Sequence, residues 1–177
     1  GIPIPDNGNQ GGTLSVLVRG VPASNLGLVV KTTTATGNGR AGLAYGGVSL
    51  SQALWGPSYL VGLRQDNQDR SNVPIQNIGD VIDGEITLRV TVFGTQPSSS
   101  GSTALPDVEL SPGEFRQINS ILTSNGLDLQ EGYVRVERVS GKAPYYAYGV
   151  INDRVTSDGS FVNPMRIDDN SGYRQEK

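Results

Sequence analysis

The sequence predicts an all-β chain, an antiparallel β-sandwich with Ig-like character and at most one short helical turn near residues 119–123. Three observations predict it. Apolar and polar residues alternate at period two in several short runs, the pattern of half-buried strands. Gly, Ser, Thr, Asn and Asp punctuate those runs at close spacing, with 24 Gly among 177 residues. The one candidate helix start, Ser111-Pro112-Gly113-Glu114, competes with the Pro-Gly pair that a type II turn requires.

Taken in order, residues 1–11 are rich in Pro, Gly and Asn and predict a flexible arm. Leu14, Val16 and Val18 alternate with Thr13, Ser15, Leu17 and Arg19 and predict the first strand. Leu26 to Lys31 and Leu43 to Leu50 read as the next two, separated by the turn residues 37–42 (GNGRAG). Ser51 to Pro57 is a connector whose Trp55 is expected to plug the junction between the two halves of the chain. Tyr59 to Arg64 and Asn72 to Ile78 follow as strands. Glu85 to Phe93 is the clearest strand, with Ile86, Leu88, Val90 and Val92 on one parity. Residues 95–103 (TQPSSSGST) are too poor in apolar groups to order themselves, and Leu105 to Leu110 returns as a strand.

Gly inside a helix costs up to about 1 kcal/mol relative to Ala. The expectation at Ser111–Glu114 is therefore a turn, then a strand at Phe115 to Ile118 and one helical turn at 119–123. Val134 and Val136 face inward from a strand that turns Tyr133, Arg135 and Glu137 outward. Tyr145 to Ile151 is apolar on both parities, as a strand covered on both faces would be. Ser160 to Ile167 closes the fold, and residues 168–177 predict a disordered tail.

Composition narrows the function classes. Net charge is −3, so the dense basic field that displaces phosphate counterions is missing and no nucleic-acid partner is expected. No apolar run approaches the roughly 20 residues of a spanning helix, so no membrane insertion is expected. The chain has no Cys and no His. Disulfides, thiolate nucleophiles, Cys-bound metals and a Ser-His-Asp triad are therefore impossible within it. Gly1 stands where an initiator Met would, as expected of a chain excised from a longer one, which leaves room for an export signal removed from it.

Residues 12–42 align without gaps on residues 132–162. Gly12/Gly132, Val16/Val136, Ala23/Ala143, Val30/Val150, Thr36/Thr156 and Gly39/Gly159 are identical. One reading is coincidence between two Gly/Val/Thr-rich strand pairs. The other, preferred here, is a tandem module whose first copy survives only as its last strands. The stretches LVGLRQDNQDRSNVPIQNIGD, VELSPGEFRQINSIL and GYVRVERVSGKAPYYAYGVINDRVTSDGSF, in that order, resemble uncharacterised β-sandwich modules repeated in large secreted bacterial proteins. The resemblance covers about residues 59–165, with the end of a preceding copy at 12–57. It implies export to the cell surface, periplasm or exterior and a structural or adhesive role, and brings no functional residues with it. The division expected is a complete sandwich module at 58–167 with residues 12–57 docked on it or swapped into a neighbouring chain.

Three candidate constellations stand out. Asp66 and Asp69 crowd the DNQDRSN loop and could supply oxygens to calcium, although the spacing matches no EF-hand; the plainer alternative is an Asx turn tied down by Arg70. Asp80 with Asp83-Gly84, and Asp153 with Asp158-Gly159, read as Asp-Gly turns, and nothing selects a catalytic carboxylate pair among them. Tyr145, Tyr146 and Tyr148 share one strand and Tyr133 lies on the outward parity of the preceding one, so these four are the candidate ligand-facing residues. The plainer alternative puts Tyr146 and Tyr148 in the core. The sequence thus predicts a non-catalytic spacer or adhesion module of an exported bacterial multidomain protein, with a carbohydrate- or peptide-binding module as the alternative. Its expected partners are neighbouring modules of the same parent chain, an extracellular glycan or protein, or a second copy by strand exchange; no cofactor beyond calcium is expected.

Overall fold

A computed structural model describes residues 12–22, 25–37, 39–95 and 101–166; the expected arm at 1–11 and tail at 168–177 lie outside them, as does most of the 95–103 loop. The chain is all-β and antiparallel, two sheets pressed together with a separate hairpin laid against one of them.

The hairpin comes first in the chain. Strand β1 (Val29–Thr36) pairs along its whole length with β2 (Gly39–Gly46), Thr36 facing Gly39 across the tight turn. The first sheet contains β3 (Ser58–Arg64), β5 (Ile86–Gly94), β6 (Ser102–Ala104), β7 (Val108–Leu110), β9 (Glu131–Ser140) and β13 (Met165–Arg166). Its order is β13-β3-β9-β5, with β6 and β7 both on the far edge of β5. The second contains β4 (Asp69–Asn77), β8 (Phe115–Ile118), β10 (Tyr145–Ala147), β11 (Gly149–Asp153) and β12 (Gly159–Val162). There β4 pairs β8, β10 and β11, and β11 pairs β12.

The alternation read in the sequence builds the core. Ile86, Leu88, Val90 and Val92 of β5 and Val134 and Val136 of β9 are all buried, facing Val73 and Ile75 of β4 and Tyr145, Ala147 and Ile151 across the sandwich. Each fully buried aliphatic side chain contributes about 1.5–3 kcal/mol of transfer free energy. Both lateral edges are managed by chain crossings. From β7 the chain crosses to the second sheet through the Ser111–Glu114 turn and continues as β8. From β12 it crosses back and forms β13 beside β3. The outermost strands β6, β7, β8, β12 and β13 are only two to four residues long, which limits unwanted pairing.

The Ser111–Glu114 segment is a turn, as its Pro-Gly pair predicts. Gly113 has φ +76°, and the Glu114 amide donates to the Ser111 carbonyl at 2.9 Å. The Glu114 carboxylate accepts the Ser111 amide at 2.9 Å, so the capping-box residues close a turn instead of a helix.

Several expectations are corrected. Residues 13–19 form no strand: Leu14, Val16 and Val18 alternate but are all exposed, and no described residue pairs with them. The helical turn expected at 119–123 is a β-turn, Thr123 donating to Ser120 at 2.9 Å with Ser120 at φ +49°. Short 3-10 turns lie instead at Leu50–Gln52 and Ser124–Gly126. Trp55 plugs no junction; it is 60% exposed, with the Arg138 guanidinium 5.7 Å above its ring. The strand read at 145–151 divides at Tyr148. Its halves keep one register on β4, Ala147 opposite Ile75 and Val150 opposite Asn72. The break therefore falls opposite Pro74, which has no N–H for the ladder. The strands read at 105–110 and 160–167 are likewise shorter pieces, divided where the chain leaves the ladder.

Candidate functional site

The outward face of the first sheet carries a shallow, open surface site. Parity along β5 and β9 turns Phe93 and Tyr133 to solvent as directly opposed partners. Their rings stack at 4.6 Å between centroids and 1° between planes. Neighbouring β3 has a register shift between Leu60 and Leu63, with Gly62 at φ +81°. This bulge leaves Val61 half exposed beside Tyr133 while Leu60 and Leu63 both face the core. Tyr59, Val61, Tyr133, Met165 and Arg166 line a slot of about 280 Å³ with almost entirely apolar walls. Arg166 supplies its one charge, and its guanidinium also donates to the Gln52 carbonyl.

Tyr133 is thus where its parity places it. The three other tyrosines are not on that face, and their parities are the reverse of the plainer alternative. Tyr145 is wholly buried and is corrected from ligand-facing to core. Its hydroxyl lies 2.8 Å from both the Gly56 and Val136 carbonyl oxygens and 3.2 Å from Ser58 Oγ. Burial pushes its pKa up to about 12. Tyr146 and Tyr148 point the other way and are half-buried on the outer face of the second sheet. Tyr148 stacks on Phe161 at 5.0 Å, and Tyr45 of the hairpin meets both rings edge-on at 6.0 and 5.9 Å. Burial raises Tyr148 to about 12, and Tyr146 is raised for the same reason. Hairpin contacts therefore occupy the face that Tyr148 would offer to a ligand. The Gly42 amide, donating to Asp158 Oδ1 at 3.0 Å, and Leu43, lying over Gly159, extend the same seam.

Asp66 and Asp69 are each engaged within their own loop. Asp66 Oδ1 accepts the Gln68 and Asp69 amides, both at 2.7 Å, an Asx turn that holds its carboxyl below the usual range. Asp69 pairs with Arg64 at 2.9 Å, so Arg64 and not Arg70 ties the loop. Asn72, from the same run, is buried and accepts the Ser120 amide at 3.0 Å. Among the described residues no three acidic side chains cluster as metal ligands. The other perturbed acids are also singly employed. Asp107 is lowered by its two-pronged pair with Arg89, Glu114 by the Ser111 amide and Arg116, and Asp153 by the Thr156 and Val155 amides.

No family model matches the chain, and no curated protein is similar to it. The crystal structure of Thermotoga maritima 1070 is similar at 14% identity with a TM-score of 0.46, over 62% of this chain and 93% of that one. A likeness that low carries no argument about shared function.

Sequence reasoning missed Tyr59, Val61, Phe93, Met165 and Arg166. Phe93 was within reach, since it shares the parity of Thr87, Arg89 and Thr91. The rest depended on a bulge and on a strand crossing between sheets, neither of which has a local signature.

Proposed function

We propose that this chain is a non-catalytic structural or adhesive spacer module, Ig-like in character, from an exported bacterial multidomain protein. The observation that carries this reading is how its carboxylates are used. Among the described residues, every acid with a perturbed titration is pushed down by turn amides or an arginine, the signature of loop scaffolding; a general acid would be pushed up. The purified chain is expected to turn over no chromogenic glycoside, ester, peptide or phosphodiester. Turnover abolished by replacing one carboxylate with its amide would overturn the reading. Protease treatment of intact producing cells tests the location: degradation of the parent protein is expected, and protection within the cytoplasm would refute it.

The Tyr59–Tyr133 slot favours a second reading, a carbohydrate- or peptide-binding module. Its apolar walls and single rim guanidinium suit a flat ring with a polar edge. Titrating gluco-, xylo- and manno-oligosaccharides and Tyr- or Trp-containing peptides into labelled protein would shift the amides of Val61, Tyr133 and Met165, and Tyr133→Ala would abolish the shifts. Binding that persists in Tyr133→Ala would exclude the slot.

A further inference from the structure

The longest open sheet edge belongs to the hairpin. The outermost strands on the sandwich run two to four residues, whereas β1 runs eight and, among the described residues, pairs only with β2. All of β1 but Thr36 is exposed, and Val29 is 70% exposed. β2 differs: Ala41 and Leu43 are buried toward the sandwich. Their β1 partners, Thr34 and Thr32, share that face yet are exposed, so β1 overhangs the sandwich with its outer edge open. The sequence VVKTTTAT has six β-branched residues of eight, no Pro and no acid. A bare, β-prone edge templates another strand.

We propose that the occupant of this edge is β1 of a second copy, joined antiparallel about a two-fold axis through Thr33. That axis stands perpendicular to the sheet, so opposed residues share a parity. Thr33 faces Thr33, Thr32 faces Thr34, Lys31 faces Ala35 and Val30 faces Thr36. Threonine pairs across an antiparallel ladder are favourable. The only charge, Lys31, meets a methyl group, and the two lysines stand four residues apart along the strands, about 13 Å. That exceeds the roughly 8 Å screening length at physiological salt. The strand is thus compatible with its own copy, and the product is a four-stranded sheet β2-β1-β1-β2 linking two sandwiches.

The axis also supplies the test, because substitution at Thr33 places like charges opposite each other. Sedimentation of the whole chain at tens of micromolar is expected to show a dimer. Thr33→Lys and Thr33→Glu, each alone, are expected to be monomers with unchanged circular dichroism and melting temperature. An equimolar mixture of the two is expected to restore the dimer, since Lys then faces Glu. A monomeric wild type, a dimer indifferent to both substitutions, or a mixture that stays monomeric would each overturn the proposal.

Discussion

Single residues set the geometry at two kinds of position here, the buried hydroxyl and the left-handed glycine. The Tyr145 hydroxyl has one proton for two carbonyl acceptors and takes a further bond from Ser58, so removing it leaves buried acceptors short of a donor. Tyr145→Phe is expected to cost about 1–3 kcal/mol in denaturant unfolding at pH 7. It also removes an alkaline liability. A tyrosine pKa raised from 10.0 to about 12 favours the neutral folded form, so its contribution is complete below pH 10 and lost as pH rises from there to about 12. The Phe variant should therefore lose less stability than wild type between pH 10 and 12, a comparison made by denaturant titration at the two pH values. Among glycines, Gly113 and Gly141 both have positive φ, +76° and +85°. A Cβ at Gly113 meets open space, whereas at Gly141 it meets the Glu85 carbonyl oxygen and Ile86. Gly113→Ala is expected to cost about 1 kcal/mol, the left-handed penalty alone. Gly141→Ala should cost at least about twice that, since backbone must also move, as melting temperatures of the two variants would show.

At the scale of elements, the hairpin β1–β2 is held to the sandwich through a short seam. Its side-chain seam to the sandwich includes Tyr45 against Tyr148 and Phe161, Leu43 over Gly159, and one hydrogen bond from Gly42 to Asp158. Edge-to-face aromatic pairs are worth about 0.5–1.5 kcal/mol each beyond area burial, so Tyr45→Ala removes much of the seam. Limited proteolysis should cut this variant within residues 29–46 faster than wild type while the sandwich melts at the same temperature. Equal cleavage rates would show that Tyr45 does not fasten the hairpin. The turn at Ser111–Glu114 is the opposite case, held by its own backbone, Gly113 and the Glu114 carboxylate together.

Across the whole molecule, the lowered carboxylates give stability a common acid dependence. Asp66, Asp107, Glu114 and Asp153 bind protons less readily folded than unfolded. Their contribution is therefore fully present above the unfolded values near 4 and is lost as pH falls below them. These groups are solvent-exposed, so the decline should be shallow and should weaken in high salt. Melting temperatures from pH 7 to 3, at low and high salt, would show it; a curve rising toward pH 3 would contradict the assignment. The core tolerates less: Leu88→Ala, at a site with no solvent access, is expected to cost about 2–5 kcal/mol by equilibrium unfolding.

Strand identity in this chain is a local property, because a period-two pattern needs only neighbours along the backbone. Ile86 to Val92, Val134 to Val136 and Phe115 to Ile118 were therefore legible as strands, and Pro112-Gly113 as a turn, before any fold was known. The inventory without His or Cys and the outward parity of Tyr133 were equally plain. Tertiary structure decided which parity of Tyr145–Tyr148 is buried, because all three rings are apolar enough for either side and only the opposing sheet distinguishes them. It decided that Leu14 to Val18, with the same alternation as β9, forms no strand, since a strand exists only where a partner accepts its hydrogen bonds. It also decided the slot, which joins residues from β3, β9 and β13. Side-chain alternation is written along one strand, but register, bulges and crossings are set between strands, and it is between strands that a binding surface forms.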